Sequence, residues 1–174
     1  RHPFLVDNPR IVDYATGGDR CDLLDVWLMA NCRFAISTGI GLGTVADIFR
    51  RPLVFVNYLP LMDMEAWGAY ITVPKILMWS ASGQPLTLRE QICHTSVNAH
   101  YYRDNGISIR DLSPGDIRDA VMEMEARLSG TWVQTEEDEN LHQRIWNIFR
   151  GSPEFSRYHG WIHPEARIGT HYLH

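Results

Sequence analysis

The sequence predicts an α/β fold, a Rossmann-like parallel sheet with flanking helices, on three observations. Residues 34–57 run strand, glycine loop, helix and strand in succession. β-Branched apolar runs are interleaved along the chain with segments of helical spacing. The chain has 174 residues, 45% of them hydrophobic, enough to fill one core of ordinary domain size.

The chain opens with two short apolar runs, at residues 4–6 and 11–12, and Gly17-Gly18 ends that segment. Asp19 is placed to cap a helix over 20–31, with Asp22 three residues on in the capping-box position. Leu24, Trp27 and Leu28, with Leu23 and Ala30 beside them, form one broad face expected to lie against the sheet. Asp22 and Asp25 fall three apart on this helix. They read either as solvated carboxylates near a positive helix end, or as groups of which one orients a ribose or sugar hydroxyl.

The strand Phe34-Ala35-Ile36 breaks into Ser37-Thr38-Gly39-Ile40-Gly41-Leu42-Gly43-Thr44. Alternating glycines allow positive φ and close approach of backbone to a ligand, since no Cβ intervenes. A helix starting there directs unpaired N–H groups at the same spot, and Ser37, Thr38 and Thr44 add hydroxyls. The composition suits phosphate oxygens. The spacing is neither G-x-G-x-x-G nor a P-loop, so an ordinary tight turn fits the same residues. The strand at 53–57 follows the short helix and the Arg50-Arg51-Pro52 punctuation. Asn57 and Tyr58 then stand at its carboxyl end, where ligands sit in open α/β sheets.

Residues 71–79 read as an irregular apolar stretch holding Lys75, the only lysine, which either snorkels to solvent or reaches a phosphate or carboxylate. Thr87 and Glu90 form a capping box for a helix reaching about residue 95. Residues 107–111 alternate as a strand does. Ser113, Pro114 and Asp116 start the clearest helix, 114–128, with Ile117, Ala120, Val121, Met124 and Leu128 as its apolar stripe. A second helix follows the acidic run 136–139, whose charges read as a solvated cap. Residues 1–151 thus form the Rossmann-like domain, and 152–174 are expected to pack as an irregular arm.

Composition narrows the function. Net charge is −5, and 15 Arg are scattered without a run longer than two, which is no nucleic-acid footprint. No apolar stretch approaches the ~20 residues that span a bilayer, and no signal-peptide pattern opens the chain, so a cytoplasmic location is expected. Cys21, Cys32 and Cys93 offer no C-x-x-C pairing, and no H-x-x-x-H falls on an expected helix; neither a disulfide framework nor a bound metal is predicted. Trp67, Tyr58 and Trp79 are the aromatic side chains expected near the crevice.

The run Asp22-Leu-Leu-Asp25-Val-Trp-Leu-Met-Ala-x-Cys32-Arg33-Phe34, with Ser37-Thr38-Gly39-x-Gly41-Leu42-Gly43, Phe49-Arg50-Arg51-Pro52 and Val56-Asn57, resembles a family of bacterial putative glycosyltransferases. Asn105-Gly106-Ile107, Met122-Glu123-Met124-Glu125, Gly130-Thr131-Trp132 and Arg167-Ile168-Gly169 extend the resemblance over most of the chain. It implies the carboxyl-terminal, donor-binding half of a GT-B fold, similar to heptosyltransferases and fucosyltransferases. By that resemblance Ser37, Thr38, Gly39, Gly41, Gly43 and Thr44 hold the donor diphosphate; Arg20, Asp25, Asn57, Tyr58 and Lys75 are the further residues expected to face the nucleotide or sugar. Arg20 and Lys75 would be the cations on the departing diphosphate.

The implied reaction moves a sugar from a nucleotide-diphosphate sugar to a hydroxyl of a glycan or lipid-linked glycan in surface polysaccharide synthesis, at the inner face of the membrane. It needs neither cofactor nor metal. An acceptor-binding domain would precede Arg1, and the catalytic base is left unassigned because it often belongs to that half. Two alternatives stay open: a pyruvyl- or phosphosugar-modifying transferase on the same scaffold, and a non-catalytic nucleotide- or sugar-binding module.

Overall fold

In a computed structural model, which describes residues 7–39 and 41–173, the central strands have almost no solvent face. β2 (Leu53–Tyr58) buries every residue but Asn57, and β3 (Tyr70–Pro74) buries all five. Near-continuous apolar strands of this kind belong to a parallel sheet covered on both sides. β1 (Ala35–Ser37), β2, β3 and β6 (Arg167–Ile168) form that sheet in the order β1-β2-β3-β6, every pair parallel. The architecture is α/β and Rossmann-like.

Side chains alternate between the two faces. Leu53 and Phe55 join Ile145, Trp146 and Phe149 of α6 (Glu136–Arg150), whereas Val54 and Val56 join Ala120 and Met124 of α5 (Pro114–Leu128). The sheet is therefore a layer between α5 and α6. Both helices begin with capping boxes, Ser113 with Asp116 and Thr135 with Asp138. The Thr87–Glu90 box is also formed, but α3 (Leu88–Gln91) is a single turn.

Three further expectations change. The stretch 71–79 is regular: Pro74 lacks the N–H that would continue a ladder, so β3 ends there and β4 (Ile76–Trp79) pairs instead with antiparallel β5 (Ile107–Arg110), the strand that follows α4 (Ala99–Asp104). Residues 152–173 are not an irregular arm, because they supply β6 and, with α7 (Phe155–Tyr158) and α8 (Thr170–Leu173), close the sheet. Ala166 and Ile168 are core residues, and a Cβ on Gly169 would stand 2.8 Å from Val73 Cγ2.

The third change concerns α1 (Asp22–Asn31), which buries no residue: Leu23 is 79% exposed, and Val26, Trp27 and Leu28 are also exposed. It packs on α2 (Leu42–Ile48) instead of the sheet, since β1 is a three-residue edge strand whose neighbourhood α2 already occupies. Its N-cap is Cys21, without a side-chain cap bond. The Tyr14 hydroxyl accepts from the Cys21 N–H at 3.2 Å, the service expected of Asp19. The apolar run at residues 4–6 lies outside the described residues. Among the described residues, no helix is long and apolar enough to cross a membrane.

One buried carboxylate ties the layers together. Glu123, 2% exposed, takes the Arg127 guanidinium at 2.7 Å and accepts from the Thr170 N–H at 2.8 Å and the Thr170 hydroxyl at 3.0 Å. It thereby joins α5 to the start of α8. Removing one partner of a buried ion pair leaves the other charge uncompensated. Glu123→Ala is expected to lower the unfolding free energy by about 3–5 kcal/mol, read as a fall in the urea midpoint.

His142 of α6 stands edge-on to Trp146, and burial, with the Arg167 charge beside it, pushes its imidazole down to about 4. The unfolded chain binds that proton near 6.5, so the His142 contribution to stability is full above that pH and is lost as pH drops towards 4. Burial lowers His159 in the same direction. Urea titrations between pH 7 and 4 are expected to show the parent chain losing stability relative to His142→Leu as pH falls, a difference that cancels carboxyl groups such as Glu65 whose raised pKa acts in the opposite sense.

Candidate functional site

β1 delivers its carboxyl end into the glycine loop. Ser37 Oγ accepts from the Gly39 N–H at 3.1 Å, which turns the chain back over the strand. Gly39 has φ +90°, and a Cβ there would come 2.8 Å from the Tyr58 ring. Gly41, the N-cap of α2, has φ +68° and ψ −130°, a combination that only glycine adopts readily. Gly43 is buried in the first turn, and any Cβ on it would collide with the Ser37 side chain. Three glycines are thus required for three distinct reasons: a ring below, a backbone angle, and a hydroxyl beside.

An open cleft of about 440 Å³ lies against this loop. Ser37, Thr38 and Gly43 line it on the polar side; Met29, Ile36, Leu42 and Val56 provide apolar wall. The Thr44 N–H is taken by the Gly41 carbonyl at 3.1 Å. The first N–H groups of α2 have no acceptor one turn back within the helix.

Of the other predicted site residues, Tyr58 packs under the loop and the rest are engaged away from it. Asn57, at φ +53°, accepts the Leu112 N–H on Oδ1 at 2.7 Å and so pins the approach to α5. Tyr58 is buried beneath Gly39, its hydroxyl donating to the Asp63 carbonyl at 2.8 Å, and burial raises its pKa. It supports the loop from below. Lys75 pairs with Asp111, while its backbone N–H donates to the Tyr58 carbonyl at 3.1 Å. Arg20 and Asp25 pair with one another at 3.4 Å beside α1. Among the described hydrogen bonds none joins Arg20, Asp25 or Lys75 to the glycine loop. Trp79 belongs to β4, outside the cleft lining.

A polar cluster of which the sequence pointed only to Trp67 stands at the far end of α2 from the loop, so Trp67 lies away from the crevice. Asp47, near the end of α2, accepts the Trp67 Nε1–H on both oxygens, at 3.1 and 3.0 Å, and the Tyr70 hydroxyl as well. Glu65 lies near it: burial first, then the charges of Asp47 and Asp63, raise its carboxyl to about 7. Its only sequence signal is the Asp63-x-Glu65 spacing, and Asp47 looks like one polar position of a short amphipathic helix. Among the described residues no group of His, Cys, Asp and Glu is arranged to hold a metal ion.

Comparison of the chain with protein-family models, curated proteins and solved structures finds no match in any of the three.

The close fit of Gly43 against Ser37 sets a test of the loop. Alanine is the better helix former by about 1 kcal/mol, yet overpacking costs about 1–3 kcal/mol. Gly43→Ala is expected to destabilise, whereas Gly115→Ala, where a Cβ would meet only Ser113 Oγ at 3.4 Å, is expected to be neutral or stabilising. Urea denaturation of the two variants checks the difference in sign.

Proposed function

We propose that the chain is the donor-binding domain of a glycosyltransferase, taking a nucleotide-diphosphate sugar at the loop of Ser37, Thr38, Gly39, Gly41, Gly43 and Thr44. The observation that carries this reading is the glycine loop itself, at the carboxyl end of a strand of an all-parallel sheet and opening onto a cleft. Sites in open α/β sheets occupy that position. The likeness of the sequence motifs to bacterial glycosyltransferases points the same way.

The chemistry follows from the loop. As the glycosidic bond to the diphosphate breaks, negative charge grows on the leaving oxygens while the anomeric carbon gains oxocarbenium character. Fixed N–H groups and the Thr38 hydroxyl bind that developing charge more tightly than the intact donor, which lowers the barrier. The apolar wall of Met29, Leu42 and Val56 suits a nucleoside or sugar ring, and its mixed character fits a ligand with one ionic and one flat part. The acceptor hydroxyl of a glycan attacks from the open side, and the proton it loses goes to a base outside the residues assigned here.

Leu42 supplies a clean test, because it is exposed at the first position of α2 and lines the cleft. An acid there suits the positive helix end and preserves the fold, but repels a diphosphate. Titration calorimetry with uridine, guanosine, cytidine and adenosine diphosphates is expected to find one binder, and Leu42→Asp to weaken it at least tenfold with the melting temperature maintained. At a ligand concentration of 100 times Kd, that binder should stabilise the chain by about 2.7 kcal/mol. Nucleotide affinity unchanged in Leu42→Asp, or no affinity in the folded chain, overturns the assignment.

A further inference from the structure

A second cavity, of about 520 Å³, opens where β2 and β3 begin. At roughly 3.3 Å per residue, the length of β2 separates it from the glycine loop by about 15–20 Å. Two indoles stand in its wall, Trp67 and Trp161, 52% and 60% exposed. Trp67 is held in place: Asp47 anchors its Nε1–H, and Tyr70 meets it edge-on with ring centroids 6.5 Å apart. Gly68 leaves space for the Tyr70 ring, which a Cβ would strike.

Trp161 in turn stands edge-on to His163, with centroids 5.5 Å apart. The His163 N–H donates to the Ala66 carbonyl at 2.7 Å, and its Nδ1 accepts the Glu165 N–H at 3.0 Å. The ring proton is therefore on Nε2, a donor.

Beside the indoles are two guanidinium groups. Arg50 extends from left-handed backbone, φ +55°, and among the described residues it joins no ion pair. Arg51 gives Nε to the Ala30 carbonyl at 2.6 Å and keeps its remaining N–H groups. Anchored aromatic faces next to hydrogen-bond donors suit a ligand with an apolar ring face and an anionic edge. The negative end of α2, at Ile48, and the Asp47 carboxylate lie in the same wall. Both oppose a multiply charged phosphate. A single carboxylate meets less opposition, and the remaining lone pair on Asp47 Oδ2 accepts a hydroxyl proton.

We propose that this cavity binds a carboxylate-bearing sugar unit, its C–H face on Trp67 and Trp161 and its carboxylate on the Arg50 guanidinium. Arg51 and His163 donate to the remaining oxygens. The site is independent of the nucleotide reading, since it shares no lining residue with the glycine-loop cleft.

Titration calorimetry of the chain with trigalacturonate, maltotriose and uridine diphosphate tests the proposal, with the indole N–H signals of Trp67 and Trp161 followed by NMR. Trigalacturonate is expected to bind and to shift both signals, and maltotriose to bind at least tenfold more weakly. Arg50→Gly removes the cation and suits the left-handed backbone, so it is expected to weaken trigalacturonate at least tenfold while the melting temperature holds. Trp161→Ala should weaken it likewise, and Leu42→Asp should leave it unchanged. The proposal is overturned by absence of trigalacturonate binding, by equal affinity for maltotriose, by affinity insensitive to Arg50→Gly, or by uridine diphosphate moving the two indole signals in its place.

Discussion

Strands β2 and β3 must be covered on both faces, and most of the molecule answers that requirement. Their alternate side chains point to α5 on one side and α6 on the other. Every backbone polar group in such strands needs a ladder partner. The short edges β1 and β6 supply those partners while leaving little unpaired edge exposed. Because the sheet is parallel, each strand ends at the same rim, and the glycine loop is at that rim by construction. The indole cavity occupies the other rim for the same reason.

Much of this was legible where the determinants are local. Ser113 with Asp116, and Thr87 with Glu90, are three residues apart and form the boxes that their spacing announces. The strand–loop–helix–strand order of residues 34–57 is equally local. The two halves of 71–79 were hidden because Pro74 and Lys75 interrupt an apolar run that tertiary pairing then divides between two sheets. A two-residue strand such as β6 has no period to detect.

The candidate site divides along the same line. Gly39, Gly41 and Gly43 belong to a loop whose glycine spacing is visible in the sequence, although the Tyr58 ring beneath Gly39 is not. The partners of Asn57 and Lys75 lie 55 and 36 residues away, and no local pattern foretells that Leu112 and Asp111 engage them. Asp47 and Trp67, 20 residues apart, meet only because α2 lies back over the start of β3. Sequence spacing finds loops and caps; it does not find side chains recruited from other elements.

The lateness of β6 also fixes an order of events during synthesis. Its pairing with β3 joins Ile71 to Arg167, so the sheet stays one strand short, with an open edge beside Tyr70–Pro74, until residue 168 has left the ribosome. Glu123 waits equally long for Thr170. Until then the nascent chain carries a buried carboxylate short of two donors and a hydrophobic strand without its neighbour, features that expose it to aggregation and to chaperone capture.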